Sequence, residues 1–392
     1  NNEHLYHSAA LKKALAAPRP KTYVPPSNCK LDDWQIGFHP TCNGIHDLDL
    51  LSDNIKFMGA GGSWRMPWMI KSSEQFESDI SKKLVLKMIR YDKDKLLLNR
   101  HYTKAAFENH RVDAVAMDHL TPSPYVVDIY SFCGQTVASE FASYAGVDNY
   151  LKAERKKYNS LGRLRMARDL ARGLSHIHYY KSGTSAQGSK RAMIVHNDIN
   201  PSNIVHIDGR FKYNDFNIAI LQKRSVIKKD SAGTNTTNRV DVNNNAMCSF
   251  PSLYQNPQWR SVEEIQNKTN LTEQIDVYSL GNIFYRILTD NSPWYRLENE
   301  GHKKIIMSKE ELVVRKKSGR LPKIPSKILN SSDTAEQILL RVTLLAFTSN
   351  PIERPTSLIL AKALSLVLDM IKKDRNVTIE DVTSEVPIFR NF

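Results

Sequence analysis

The chain has 392 residues, with 55 Lys and Arg against 41 Asp and Glu, for a formal net charge of +14. An apolar share of 41% with 24% charged residues excludes a low-complexity chain and allows one large two-lobed domain or two ordinary ones. The cations are scattered, which reads first as a solvated surface and second as a field for acidic peptides, phosphates or an anionic membrane; no aromatic-interleaved basic repeat argues for nucleic acid.

Residues 1 to about 50 read as an N-terminal extension. Leu5 to Ala17 is a short helix candidate, stopped by Pro18 and Pro20, and Pro25-Pro26 reads as extended linker. The chain begins at Asn1 rather than Met, so a leader or anchor cut away upstream is an expectation. Four cysteines, Cys29, Cys42, Cys133 and Cys248, make no C-x-x-C and indicate no zinc site. Cys29 and Cys42 flank a Trp- and His-bearing segment and are candidates for a disulfide. Cys42 to Asp47 reads as a turn, and His46 beside Asp47 as a surface feature first and a metal or acid–base pair second. Asn-x-Ser/Thr sequons occur at Asn235, Asn267, Asn270, Asn330 and Asn376, but in a chain this rich in Asn they leave the compartment open.

Ile55 to Met58 and Trp64 to Ile70 read as strands around a glycine cluster, Gly59-Ala60-Gly61-Gly62-Ser63. Glycines let backbone amides approach phosphates closely, although such a hairpin is more often only a turn. Residues 71 to 83 are polar, and Leu84 to Ile89 is a strand carrying Lys87. A helix is expected from about Tyr102 to Leu120, then strands over Val126 to Phe132 and Thr136 to Ala142. Leu161, Leu164, Ala167, Ala171, Leu174 and Ile177 recur every three or four residues, the pattern of a long amphipathic helix. The most apolar late stretch, Leu358 to Ile371, carries Lys362 and Asp369 and reads as an amphipathic helix rather than a bilayer span.

The polar centre is Ile194-Val195-His196-Asn197-Asp198-Ile199-Asn200-Pro201-Ser202-Asn203, followed by Asp215-Phe216-Asn217. A loop presents one carboxylate and one amide, and a small hairpin ends in a second carboxylate. Phosphoryl transfer needs these groups: one acid takes the attacking hydroxyl's proton, and an amide and another acid hold Mg²⁺ against the phosphates.

The spacing H-x-D-x-x-x-x-N and then D-F-x resembles the catalytic and metal loops of the eukaryotic protein kinase family. Gln258 to Glu264 and Asn350 to Thr356 resemble two further family segments of the large lobe. The resemblance covers about residues 54 to 372. With its H-N-D and D-F-N loops the chain is similar to a divergent, diatom-like group. It implies an α+β fold: a mainly antiparallel small lobe at about 51–142, a helical large lobe at about 143–372, and a C-terminal tail at 373–392. It implies Asp198 as base, Asn203 and Asp215 as Mg²⁺ ligands, and Lys87 on the α- and β-phosphates of ATP. Asp113 takes the place of the helix acid that pairs with Lys87, one methylene shorter than the usual Glu, which implies a long or water-bridged pair, with Glu108 as fallback. Gly59, Gly61 and Gly62 would cover the phosphates. Val85, Val205 and the backbone of Glu140 and Ala142 would face the adenine, with Ser139 as a small gatekeeper. Glu263 should pair with Arg354, and Asp276 should accept bonds from the catalytic-loop backbone.

Three departures stand out. Asn197 replaces the arginine that answers an activation-loop phosphate, so activity independent of that phosphate is expected. Asn200 replaces the lysine that assists the transferring phosphate, which implies slow chemistry. Asn217 replaces glycine, and Asn tolerates the left-handed backbone region best among the other residues. The expected activity is transfer of the γ-phosphate of ATP to a protein hydroxyl, Ser/Thr before Tyr. The rivals are a pseudokinase scaffold and a small-molecule phosphotransferase of the aminoglycoside or choline kinase type. The group resemblance leans toward the secretory pathway or a membrane-anchored placement, with cytoplasmic as the alternative.

Overall fold

A sheet of short antiparallel strands precedes a bundle of helices along the chain. The computed structural model describes residues 29–37, 40–48, 50, 55–59, 64–71, 83–90, 103–154, 157–180, 192–225, 248–251, 256–298 and 303–390. Within them the chain has the two-lobed α+β architecture that the resemblance implies.

The N-terminal segment contributes strand β1 (Cys29–Lys30), helix α1 (Asp33–Ile36) and helix α2 (Asn43–His46). Where a turn was expected at 42–47, the backbone closes one helical turn. The small-lobe sheet comprises β2 (Ile55–Phe57), β3 (Arg65–Lys71), β4 (Lys83–Ile89), β5 (Ile129–Cys133) and β6 (Thr136–Glu140), ordered β2-β3-β4-β6-β5. Side chains alternate between faces along a strand. Leu84, Leu86 and Met88 therefore pack on one face with Ile70 and Ala138, under Ile45 and Leu48 of the N-terminal segment. Val85 and Lys87 are left to the opposite, cleft-facing side. Val126 and Val127, expected in a strand, pair instead with Tyr213 of the large lobe, and β5 starts only at Ile129. Helix α3 (Lys104–Leu120) begins at Thr103, whose hydroxyl accepts the Ala106 N–H at 3.1 Å.

The large lobe runs through α4 (Val147–Glu154) and α5 (Ser160–Tyr179) to paired strands β7 (Ile194–Val195), β8 (Ile204–Ile207), β9 (Arg210–Tyr213), β10 (Ile220–Leu221) and β11 (Arg224–Ser225). Helices α6 (Val262–Ile265) and α7 (Gln274–Thr289) follow, then the hairpin β12 (Tyr295–Glu298) and β13 (Lys303–Ile306). Helices α8 (Lys309–Lys317), α9 (Ser326–Leu329), α10 (Thr334–Ala346), α11 (Ser357–Lys373) and α12 (Ile379–Glu385) complete it. The periodic residues Leu164, Ala167, Ala171, Leu174 and Ile177 bury one face of α5 against α7, α10 and α11. Val382, Val386 and Phe389 sit in the same core, so the segment after α11 is packed onto the lobe. At Gly173 an added Cβ would fall 2.7 Å from the Tyr213 ring, so only glycine lets α5 approach the β8–β9 hairpin this closely. Tyr213 completes the contact by donating its hydroxyl to Leu170 O at 2.9 Å.

All four cysteines are bridged, but the expected Cys29–Cys42 pairing does not occur. Cys42 joins Cys133 of β5, pinning α2 to the sheet. Cys29 joins Cys248, and β1 pairs antiparallel with β11, so the N-terminal segment is tied to the stretch beyond Asp215-Phe216-Asn217. The two cysteines near in sequence are carried to different elements by the backbone between them.

Candidate active site

Short paired strands hold the loop of residues 196–203. Ile220 of β10 lies opposite Val195 of β7, and Asp276 at the start of α7 accepts the backbone N–H groups of His196 at 2.6 Å and Asn197 at 2.9 Å. Asn197 is left-handed, φ 61, and its side-chain amide donates to Ile218 O at 2.9 Å. Asn is among the few non-glycine residues suited to that conformation. Asp198 follows, its side chain 31% exposed. Asn203 donates its Nδ2 to both the Asp198 carboxylate and the Asp198 carbonyl, each at 2.9 Å. Asn200 spends its amide on the loop itself, accepting from Ser202 N–H at 2.9 Å and donating to Asp198 O at 3.1 Å.

The β8–β9 hairpin turns through Asp208 and Gly209, both at positive φ, and delivers Asp215, itself left-handed at φ 65. Asp215, not Asn217, adopts that conformation, so the expected role of Asn217 in tolerating it is not used. Oδ1 of Asp215 is buried without a hydrogen-bond partner. Burial pushes its carboxyl above the ordinary range, Lys87 pulling against this and Asp113 adding to it. Asn203 turns its Nδ2 away to Asp198, so its carbonyl oxygen and the Asp215 carboxylate are the oxygens that suit a hard cation such as Mg²⁺.

On the small-lobe wall Lys87 and Asp113 make no direct contact among the described residues, although each charge acts on the other. Lys87 donates to Asn214 Oδ1 at 2.8 Å, and Arg65 of β3 takes the acid instead. Asp113 also accepts the Phe216 N–H at 2.6 Å and is fully buried. Its shorter side chain, anchored on that amide, leaves the lysine to a neighbour and brings in an arginine from the adjacent strand. Burial raises the Asp113 carboxyl, but the charges of Arg65 and Lys87 and the Arg65 hydrogen bond outweigh it and hold it below the usual value. Burial lowers Lys87, opposed by Asp113 and Asp215. Arg65 is 6% exposed, stands 4.0 Å from Asp215, and keeps a buried Nη1 with no partner. The fallback acid Glu108 is taken by Arg111 at 2.7 Å.

The residues expected to face adenine gather around the connection between lobes. Val85 lies opposite Ser139, and Leu84 opposite Glu140. The Glu140 carboxylate is occupied by Lys212 Nζ at 2.7 Å and the Asp128 N–H at 2.7 Å, and its own N–H donates to Asp128 O at 3.1 Å. Just past the partly buried Ala142, Ser143 and Tyr144 exchange backbone bonds with His206, next to Val205 on β8. Gly59 has φ 100; Gly61 and Gly62 lie outside the described residues.

Sequence reasoning gave no role to Arg260. Its Nη2 lies 3.2 Å from Asp198 Oδ1; its Nη1 donates to Asn197 O and sits 3.2 Å from Glu264 Oε1. Glu264 is fixed by a capping box with Ser261, at 2.8 Å from both its N–H and its hydroxyl. The available signal was a cation placed just before a Ser-x-x-Glu helix start. A cavity of about 270 Å³ opens here, lined by Asp198, Asn200, Ser202, Asn256, Trp259 and Arg260. Behind it, Glu263 and Arg354 form the expected pair at 2.8 and 3.2 Å.

Residues 71–377 match the family model described as protein kinase domain. Over 291 residues the chain is 24% identical to the dual specificity protein kinase shkC of Dictyostelium discoideum, covering 72% of this chain and 48% of that protein. Over 164 residues it is 24% identical to the probable serine/threonine-protein kinase SIS8 of Arabidopsis thaliana, covering 41% of this chain and 13% of that protein. The chain therefore spans about half the length of the first relative and a smaller part of the second.

Proposed function

The chain belongs to the protein kinase domain family, and on that premise we propose that it is an ATP- and Mg²⁺-dependent kinase that phosphorylates protein hydroxyls, Ser or Thr before Tyr. The observation that carries this reading is the pairing of a partly exposed Asp198, oriented by Asn203 beside an open cavity, with a buried Asp215 oxygen that has no hydrogen-bond partner. Asp198 would accept the proton of the acceptor hydroxyl as its oxygen bonds to the γ-phosphorus and the bridging P–O bond to ADP breaks. Asn203 and Asp215 would hold Mg²⁺, which neutralises phosphate charge when bound. Lys87 and Arg65 face the phosphate side, and Val85, Val205 and the backbone of Glu140 and Ala142 bound the adenine side. The serine/threonine and dual-specificity descriptions of the two relatives support the hydroxyl class.

One observation favours a scaffold without catalysis: Lys87 is engaged with Asn214 rather than with the α3 acid. Mg²⁺-dependent transfer of labelled γ-phosphate to a basic protein, measured for wild type and Asp198→Ala, decides between them. The expected outcome is transfer by wild type and loss on substitution. A folded wild type that binds nucleotide and transfers to no acceptor would establish the scaffold reading.

We further propose an oxidising compartment. Two disulfides and exposed sequon asparagines at Asn267, Asn270, Asn330 and Asn376 support it. Among the described residues no helix is long and apolar enough to cross a membrane.

A further inference from the structure

We propose that Arg260 is a catalytic residue: it supplies to the transferring phosphoryl group the positive charge that the catalytic loop lacks at Asn200. This rests on the kinase reading above. Asn200 carries no charge, and its amide is committed to the loop itself, accepting from the Ser202 N–H and donating to Asp198 O. The acceptor side of the site therefore has to take its cation from another element. Of the six residues lining the cavity beside Asp198, Arg260 is the one with a positive side chain.

Its geometry is that of a preset electrostatic group. Arg260 is 4% exposed, so its charge acts in a low-dielectric setting where water and salt screen it little. One guanidinium nitrogen is locked by Asn197 O and the Glu264 carboxylate. The backbone is held too: the buried Lys316 Nζ donates to Gln258 O at 3.1 Å and to Arg260 O at 2.6 Å. Among the described residues Nη2 bonds only the Asp198 carboxylate, at 3.2 Å. Glu264 offsets part of the charge, and Arg260 in turn pulls down a carboxyl that burial raises.

The step balances as follows. The acceptor hydroxyl gives its proton to Asp198 and its oxygen bonds to the γ-phosphorus. The bridging P–O bond breaks, and its electron pair leaves with ADP. As Asp198 takes up the proton, its hold on Nη2 would weaken while negative charge builds on the phosphoryl oxygens. A planar guanidinium suits that charge geometrically. Fixed donors aimed at developing charge are worth about 10²–10³-fold in rate.

The alternative is that Arg260 merely clamps residues 197–198. Restoring the missing charge at position 200 separates the two. Peptide phosphorylation, MgATP affinity and melting temperature are compared for wild type, Arg260→Gln, Arg260→Lys, and Arg260→Gln combined with Asn200→Lys. The proposal expects Arg260→Gln to lower kcat about 10²–10³-fold with MgATP affinity within a few-fold of wild type. It expects Arg260→Lys to retain more activity than Arg260→Gln, and the double variant to recover at least tenfold without recovering melting temperature. Should Arg260→Gln fail to fold, Arg260→Lys and its own combination with Asn200→Lys carry the comparison. Wild-type kcat in Arg260→Gln, or lost activity that tracks lost stability and is not rescued by Asn200→Lys, overturns the assignment while leaving the kinase reading intact. A wild type inactive toward every acceptor overturns both together.

Discussion

The two walls of the cleft differ in how they depart from the family pattern. On the large-lobe wall the scaffold is kept and the charge has moved. Asp276 still receives the loop amides and Glu263 still pairs with Arg354, while Asn197 and Asn200 are neutral and Arg260 brings a cation from a separate segment. On the small-lobe wall the charges are kept and the partners have moved. Lys87 is in place but bonds Asn214, and Arg65 holds the shortened acid Asp113. A charge missing from one sequence position can thus be present in the site, and a residue present at its expected position can have a different neighbour.

The largest effect should come from the large-lobe scaffold. Arg354 is buried, meets Glu263 with both terminal nitrogens, donates to Thr348 O at 2.9 Å, and lies over the Tyr278 ring at 5.1 Å. Arg354→Met strands the Glu263 carboxylate in the interior, a loss of about 3–5 kcal/mol. Urea unfolding of the purified chain measures it. A loss below about 1 kcal/mol would mean that this wall does not rest on the pair, and the contrast between walls would weaken.

A smaller but sharper contrast separates Arg65 from Lys87. Removing Arg65 leaves Asp113 fully buried with no partner in direct ionic contact, whereas removing Lys87 frees the neutral amide of Asn214 and takes away a charge that acts on Asp113 and Asp215 without direct contact. Arg65→Met should therefore destabilise by about 3 kcal/mol, at the low end for a broken buried pair, and Lys87→Met by less than about 1.5 kcal/mol, the value of an ordinary hydrogen bond. Equal losses, or a larger one for Lys87→Met, would restore the expected lysine–acid pair and remove the small-lobe half of the comparison. Hydrogen exchange in α3 reports the same difference locally, since that helix carries Asp113.

These partners explain which parts of the molecule were legible in the sequence. Periodicity is local, so Leu161 to Ile177 announced the helix found at Ser160–Tyr179, and Leu358 to Ile371 the one at Ser357–Lys373. The spacing of His196, Asp198, Asn203 and Asp215 is also local, because one loop and one hairpin carry all four. Arg65 meets an acid 48 residues away, and Arg260 one 62 residues away. Nothing in strand alternation or turn chemistry encodes such a partner. Cysteine pairing has the same limit: four cysteines allow three connectivities, and proximity in sequence suggested one that the N-terminal path excludes.

The N-terminal segment joins the two walls, and its disulfides provide the mildest test. The Cys42–Cys133 bridge stays within the small lobe, whereas Cys29–Cys248 reaches the stretch beyond Asp215-Phe216-Asn217. Between them, Gln35 donates to Gln222 O at 2.9 Å, Arg111 of α3 donates to Gln35 O at 2.9 Å, and Trp34 stacks on His119 of α3 with ring centres 3.9 Å apart. The segment thus ties α3 to residue 222, seven positions after Asp215. Opening either bridge by paired Cys→Ser changes should cost about 2–4 kcal/mol, and closure entropy for loops of 219 and 91 residues favours the longer by about 0.8 kcal/mol. The activity readout is more discriminating than this small difference. Loss of Cys29–Cys248 should loosen the stretch after Asp215 and slow transfer, while loss of Cys42–Cys133 should lower stability with transfer largely kept. The reverse pattern would place control of the site in the small-lobe sheet, and the walls would then be coupled through β5 rather than through the N-terminal segment.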